Sequence, residues 1–193
     1  MDKAWMLAAA ATIGLILTAS VALADGDALP GDHGRPGDGV PALNPPPRPP
    51  GGPPRATVRA PLIEVAEAAA HAIAQGCNQY PLAVAVVNAA GAPILIYVPN
   101  GSEPGHGYMA LRKAYTAITF NAPTSQIRPK AQQDAATAAK VRANPNLVAY
   151  SGGILLKAGD TPIGAIGVSG AEPGGHDEEC ALIGFEKIRD QLK

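Results

Sequence analysis

The run Gly164-Ala165-Ile166-Gly167-Val168-Ser169-Gly170-Ala171 constrains this chain more than any other. Glycine and small residues alternate there with β-branched ones, and Asp177-Glu178-Glu179-Cys180-Ala181 follows within a few positions. The pattern is that of a buried strand that leaves its sheet and enters a helix with an acidic first turn. Glycines inside a strand let a sheet twist and mark where another backbone, or a flat ligand, comes close. A phosphate loop would need Gly-Lys-Ser/Thr opening the helix, and no lysine follows here.

The chain has 193 residues and a formal net charge of -1, room for one ordinary domain and no sign of a nucleic-acid partner or a polybasic membrane surface. Aromatics make up 4 % of it, so the core is built from Ala, Val, Ile and Leu. Residues 1–24 read as a signal peptide. Lys3 provides the positive start, Trp5 to Val21 is apolar apart from Thr12, Thr18 and Ser20, and Ala22-Leu23-Ala24 gives a small-x-small cleavage site. The competing reading is an uncleaved anchor, since about 17–20 apolar residues can just span a bilayer. Export to the periplasm or the extracellular space is the expectation. In an oxidising compartment two cysteines are a candidate disulfide first.

Residues 25–59 hold four Asp and four Arg that cancel, with almost nothing apolar to bury. Asn44-Pro45-Pro46-Pro47-Arg48-Pro49-Pro50 predicts an extended polyproline II spacer, so this stretch reads as a disordered Pro/Gly-rich linker. The folded domain is expected over residues 60–193.

Within it, apolar spacing predicts a first helix over Leu62–Gln75, with Leu62, Ala66, Ala69, Ile73 and Cys77 inward and Glu64, Glu67, His71 and Gln75 outward. Leu82–Val87 and Ile94–Val98 predict a hairpin turned at Asn88-Ala89-Ala90-Gly91. A second helix is expected over Tyr108–Phe120, ended by Pro123, and a third over Pro129–Arg142. Gly152–Leu156 and Pro162–Ser169 predict another hairpin, and Asp177–Gln191 a last helix. The fold class is therefore α+β: an antiparallel sheet built from two hairpins and covered by helices.

Four segments together resemble the GlcG/HbpS family, over nearly all of Leu62 to Ile188. Val84-Ala85-Val86-Val87-Asn88-Ala89-Ala90-Gly91 is similar to its first hairpin. Lys113-Ala114-Tyr115-Thr116-Ala117, followed by Pro123-Thr124, is similar to its Lys-Ala-x-Thr-Ala helix. Gly152-Gly153-Ile154 with Gly164 to Ala171 is similar to its second hairpin, and Asp177 to Ala181 to the start of its last helix. The chain departs from the pattern at Asn88 and Asn100, where the family usually has Asp, and at Leu155, where proline is common. The resemblance implies a layered α-β domain of profilin-like, GlcG type, a homo-oligomer, and binding of haem or a similar flat tetrapyrrole. It further implies haem capture, delivery or redox sensing, with a membrane sensor or transporter as a possible partner.

Histidine is the natural axial ligand for haem iron. Of the four, His106 is the first candidate, in a Gly-Pro-Gly-His-Gly loop beside Tyr108 and Met109. His71 is the second, on the polar face of the first helix, where a plain solvated side chain is the alternative. His33 lies in the linker. His176, Asp177, Glu179 and Cys180 could be read as a metal cluster, but neighbours around a helix turn point apart, and capping of the last helix by Asp177 is favoured. Cys77 ends the first helix and Cys180 begins the last. If those helices pack antiparallel on one sheet face, their ends meet in a disulfide; otherwise both are buried thiols.

No nucleophile–base–orienter set is legible around Ser102, Ser151 or Ser169. An enzyme or accessory subunit acting on an organic acid or corrinoid, and a purely structural oligomer, stand as the alternatives to haem binding. Leu182 and Ile183, off the inward face of the last helix, are the candidate oligomer surface.

Overall fold

The computed structural model describes residues 58–172 and 175–193, so the expected signal peptide and nearly all of the expected linker lie outside the described residues. Four strands, β1 (Ala83–Asn88), β2 (Pro93–Tyr97), β3 (Gly153–Ala158) and β4 (Thr161–Ser169), form one antiparallel sheet in the order β2-β1-β4-β3. Each expected hairpin is present. They join through β1 and β4, which pair from Ala83↔Ser169 to Asn88↔Gly164. Asn88 makes the first turn without a charge: its Oδ1 accepts from the N–H of Ala90 at 2.9 Å and of Ala92 at 3.0 Å.

Helices α1 (Ile63–Gly76) and α5 (Asp177–Ile188) cover one face, and α2 (Pro104–Phe120) covers the other. Val84, Val86, Ile166 and Val168 point into the core shared with α1 and α5, while Val87 and Ala165 point at Ala114 and Ala117 of α2. The period-two alternation of a strand separates these two sets. The glycines of β4 and β3 now have a physical reason. Ala85, Gly167 and Gly153 form one cross-strand row. A Cβ on Gly167 would run into the backbone of Ala110 and Ala114, and one on Gly153 into the Lys113 carbonyl. What approaches the strand is the backbone of α2.

Three expectations need correction. Leu62 is exposed at the N-cap of α1, and the inward face is Val65, Ala66, Ala69, Ala70 and Ile73. The expected third helix is two helices, α3 (Ile127–Gln133) and α4 (Ala135–Ala143). Asp134 breaks them: its backbone is extended, and its carboxylate accepts from the N–H groups of Ala136 and Thr137. The bonds from the Thr137 hydroxyl and those two N–H groups hold the Asp134 carboxyl below the usual carboxylate range. A depressed folded-state value means this cap contributes fully above the unfolded value of about 3.9 and is lost as pH falls through the lower folded one. Asp134→Asn is therefore expected to flatten the acid limb of the unfolding profile, measured by circular dichroism from pH 5 to 2. Third, α2 begins at Pro104, four residues earlier than expected. Proline suits that first position because it has no N–H to leave unbonded. The helix ends at Asn121, whose left-handed backbone (φ 49°) stops it before Pro123.

Cys77 and Cys180 are joined by a disulfide, with Cα atoms 6.0 Å apart and a sequence separation of 103. It ties the end of α1 to the start of α5. Cys77→Ser/Cys180→Ser is expected to lower unfolding stability by about 2–5 kcal/mol, read as a drop in the urea midpoint of the oxidised protein against the variant. An unchanged midpoint would count against a bonded pair.

Candidate functional site at the amino end of α2

His106 is the third residue of α2, not part of a loose loop before it. Its Nδ1 lies 2.8 Å from the carbonyl oxygen of Pro81, two residues before β1. A carbonyl only accepts, so Nδ1 carries the proton, and in the neutral ring Nε2 keeps its lone pair. A ligating histidine is usually oriented in this way, through its other nitrogen. Gly170, just past β4, packs against the same ring at φ +108°, and a Cβ there would sit 2.5 Å from Nδ1. Ser102 Oγ donates to the Leu82 carbonyl, so the approach to α2 and its first turn are both fastened to the segment that leads into β1.

The other candidate residues do not gather on this ring. Tyr108 is exposed and lies about 200° round the helix from His106. His71 is exposed on α1, on the far face of the sheet, edge-on to Tyr97 with ring centroids 5.3 Å apart. Sheet and core separate it from α2, so one chain does not bring His71 and His106 to a shared ligand. His33 lies outside the described residues. His176 is the N-cap residue of α5, with its ring stacked on Tyr80 and Nδ1 2.7 Å from Glu179 Oε2. Among the described residues no three His, Cys, Asp or Glu side chains form a metal cluster. Cys180 is in the disulfide, and Asp177 points elsewhere.

Asp177 corrects the capping expectation. It is the first residue inside α5, and its carboxylate turns into the protein: Oδ2 is 2.6 Å from Lys113 Nζ and Oδ1 accepts the Ala171 N–H at 2.8 Å. Both side chains are buried, at 4 % and 8 % exposure. Burial pushes the Lys113 ammonium below the ordinary lysine range, and the Asp177 carboxylate opposes that shift without cancelling it. Reading the sequence missed this pair. The available signal was spacing: His106 and Lys113 are seven residues apart and share one face of α2. Apolar surface flanks the first turn of α2, where Ile96 and Val98 are exposed and a Cβ on Gly107 would lie 3.0 Å from Val98 Cγ2.

A sequence profile described as haem degrading protein HbpS-like matches residues 61–186. The chain belongs to the HbpS-like family. Among solved structures, HbpS is 30 % identical, with TM-score 0.61, over 70 % of this chain and 94 % of that one. A double mutant of the Streptomyces reticuli HbpS matches at the same identity and TM-score over 79 % of this chain and 99 % of the other. PduOC, solved as its haem complex, shares the fold at 20 % identity and TM-score 0.61, over 67 % and 95 % of the two chains. No curated protein matches the chain. Of the segments that carry the HbpS-like resemblance, Gly164 to Ala171 reaches His106 at Gly170, whereas the turn from Asn88 to Gly91 packs on Tyr115 at the other end of α2. Lys113 and Asp177 come from the two helical motifs of the resemblance and meet as the buried pair.

Proposed function

We propose that this HbpS-like protein is an exported binder of haem, or a related flat tetrapyrrole, held at the amino end of α2 with His106 as the iron ligand. The observation that carries this is the 2.8 Å contact from His106 Nδ1 to the Pro81 carbonyl, which leaves Nε2 as the coordinating atom. The residues fit the group. A half-buried imidazole with its tautomer fixed precedes Gly107, which packs near exposed Ile96 and Val98, apolar surface suited to a porphyrin face. Membership of the HbpS-like family supports the same ligand class, as does the haem complex of PduOC on a shared fold.

His71 is the second choice of ligand, and Tyr108, on the other side of α2 from His106, is not proposed as one. The apolar leader and the Pro-rich stretch support a domain carried outside the cell and held off by a spacer, where haem capture or redox sensing with a membrane partner would be its work. Exposed Leu182 and Ile183 on α5 support assembly as a homo-oligomer.

The test is a haemin titration followed in the Soret region. Wild-type protein is expected to show a saturable, stoichiometric shift, and His71→Ala to match it. His106→Ala is expected to weaken binding beyond the roughly 10–100-fold that loss of an outer-shell partner costs. A shift indifferent to His106 and lost in His71→Ala would move the ligand to α1. No shift above that of an unrelated control protein would end the haem reading.

A further inference from the structure

The buried ion pair and the candidate ligand belong to one closed circuit. His106 packs on Gly170; Gly170 is bonded to Ala171; the Ala171 N–H is held by Asp177 Oδ1 at 2.8 Å; and Asp177 Oδ2 is held by Lys113 Nζ at 2.6 Å. Lys113 then returns to His106 along seven residues of one helix face. The segment that carries Gly170 leaves the sheet with a left-handed backbone, so strand pairing does not fix it beyond Ser169. Asp177 holds it through the shorter of two bonds to Ala171, the other being His176 N–H to the Ala171 carbonyl at 3.3 Å, and Lys113 holds Asp177.

From this circuit we infer that Lys113 and Asp177 are positioning residues for His106: the pair holds Gly170 against the imidazole and so fixes the ring for its ligand. The inference rests on the proposed haem site, but it makes its own demand on the ligand-free protein. Without the pair, Gly170 moves off the ring and the bond from Nδ1 to Pro81 loses its backing. A pair that served only stability would leave the ring as it is in any chain that still folds.

The decisive readout is the ¹⁵N spectrum of the His106 ring in ligand-free protein, alongside haemin titration. Lys113→Met/Asp177→Leu removes both charges and the acceptor of the Ala171 N–H, so neither charge is left buried alone and the circuit is cut. It is expected to broaden the Nδ1–H signal of His106, to mix the two tautomers, and to weaken haemin binding about 10–100-fold, the range for an outer-shell partner. Gly170→Ala reaches the ring from the other end of the circuit without touching the pair, and the same spectral change is expected. Val141→Ala, in the separate core packed by α4, is expected to lose stability with the His106 signals of wild type. Unchanged ring signals in the folded double variant overturn the inference whatever haemin does, as do signals that move equally in Val141→Ala. Changed ring signals in a protein whose wild type binds no haemin would uphold the positioning and end the proposed function instead.

Discussion

Gly167→Val is expected to leave the domain unfolded. Gly167 sits mid-strand in β4, between Ala85 of β1 and Gly153 of β3, directly beneath α2. A Cβ there would overlap the Ala110 carbonyl and lie 2.6 Å from the Ala114 nitrogen, both backbone atoms inside a regular helix. No rotamer change relieves that contact. The helix must lift, which strips Ala114 and Ala117 from Val87 and Ala165 and shifts the first turn that carries His106. Close-packed interiors tolerate such insertion poorly, and a loss above about 4 kcal/mol belongs to this class of change. The check is soluble yield and a thermal melt by circular dichroism. Gly159→Asn serves as the control, because Gly159 lies in the second hairpin turn at φ +58° with open space around it, a conformation Asn tolerates. A cooperative, near-native melt for Gly167→Val would show that α2 does not ride on the glycine row.

Asp177→Ala is expected to cost about 3–5 kcal/mol, because it leaves the Lys113 ammonium buried without its counter-charge and the Ala171 N–H without its acceptor. The paired change Lys113→Met/Asp177→Asn is expected to recover much of that loss, since the net worth of a buried pair is small once neither charge is stranded. Urea unfolding of Lys113→Met, Asp177→Asn, the double variant and wild type closes the cycle. A loss in the double variant equal to the sum of the two single losses would mean that the two side chains act independently.

These two results bear on how much of the molecule its sequence disclosed. The hairpins were legible because strand alternation and turn residues are local signals, as at Asn88 to Gly91. So was the layer of α1 and α5, whose ends the two cysteines mark. The glycines of β4 announced a close approach, but not what approached; that needed the register that aligns Gly153 with Gly167. The break at Asp134 was hidden because an Ala-rich stretch reads as one helix, and a carboxylate that caps from inside such a run looks like any polar residue. Pro104 carried the true start of α2, yet the glycines around His106 read as a loop. The site was the least legible part. Its ring is fixed by a main-chain carbonyl of Pro81, and a backbone acceptor leaves no trace in side-chain pattern. Several polar residues in the resemblance turn out to be buried and bonded. Thr116 Oγ1 accepts from Val148 N–H at 2.9 Å, and Thr124 Oγ1 accepts from Gly153 N–H at 2.8 Å, so the motifs there record internal hydrogen bonds.

The central claim is that His106 Nε2 is the atom that takes the iron. The most direct measurement replaces the imidazole rather than merely deleting it: haemin titration of His106→Gly with and without millimolar free imidazole, followed by Soret absorbance and low-temperature electron paramagnetic resonance. His106→Gly is expected to lose the wild-type spectrum and free imidazole to restore it, because the vacated space beside Pro81 and Gly170 can hold the same ring. A wild-type spectrum in His106→Gly without imidazole would contradict that claim and place the iron on another residue.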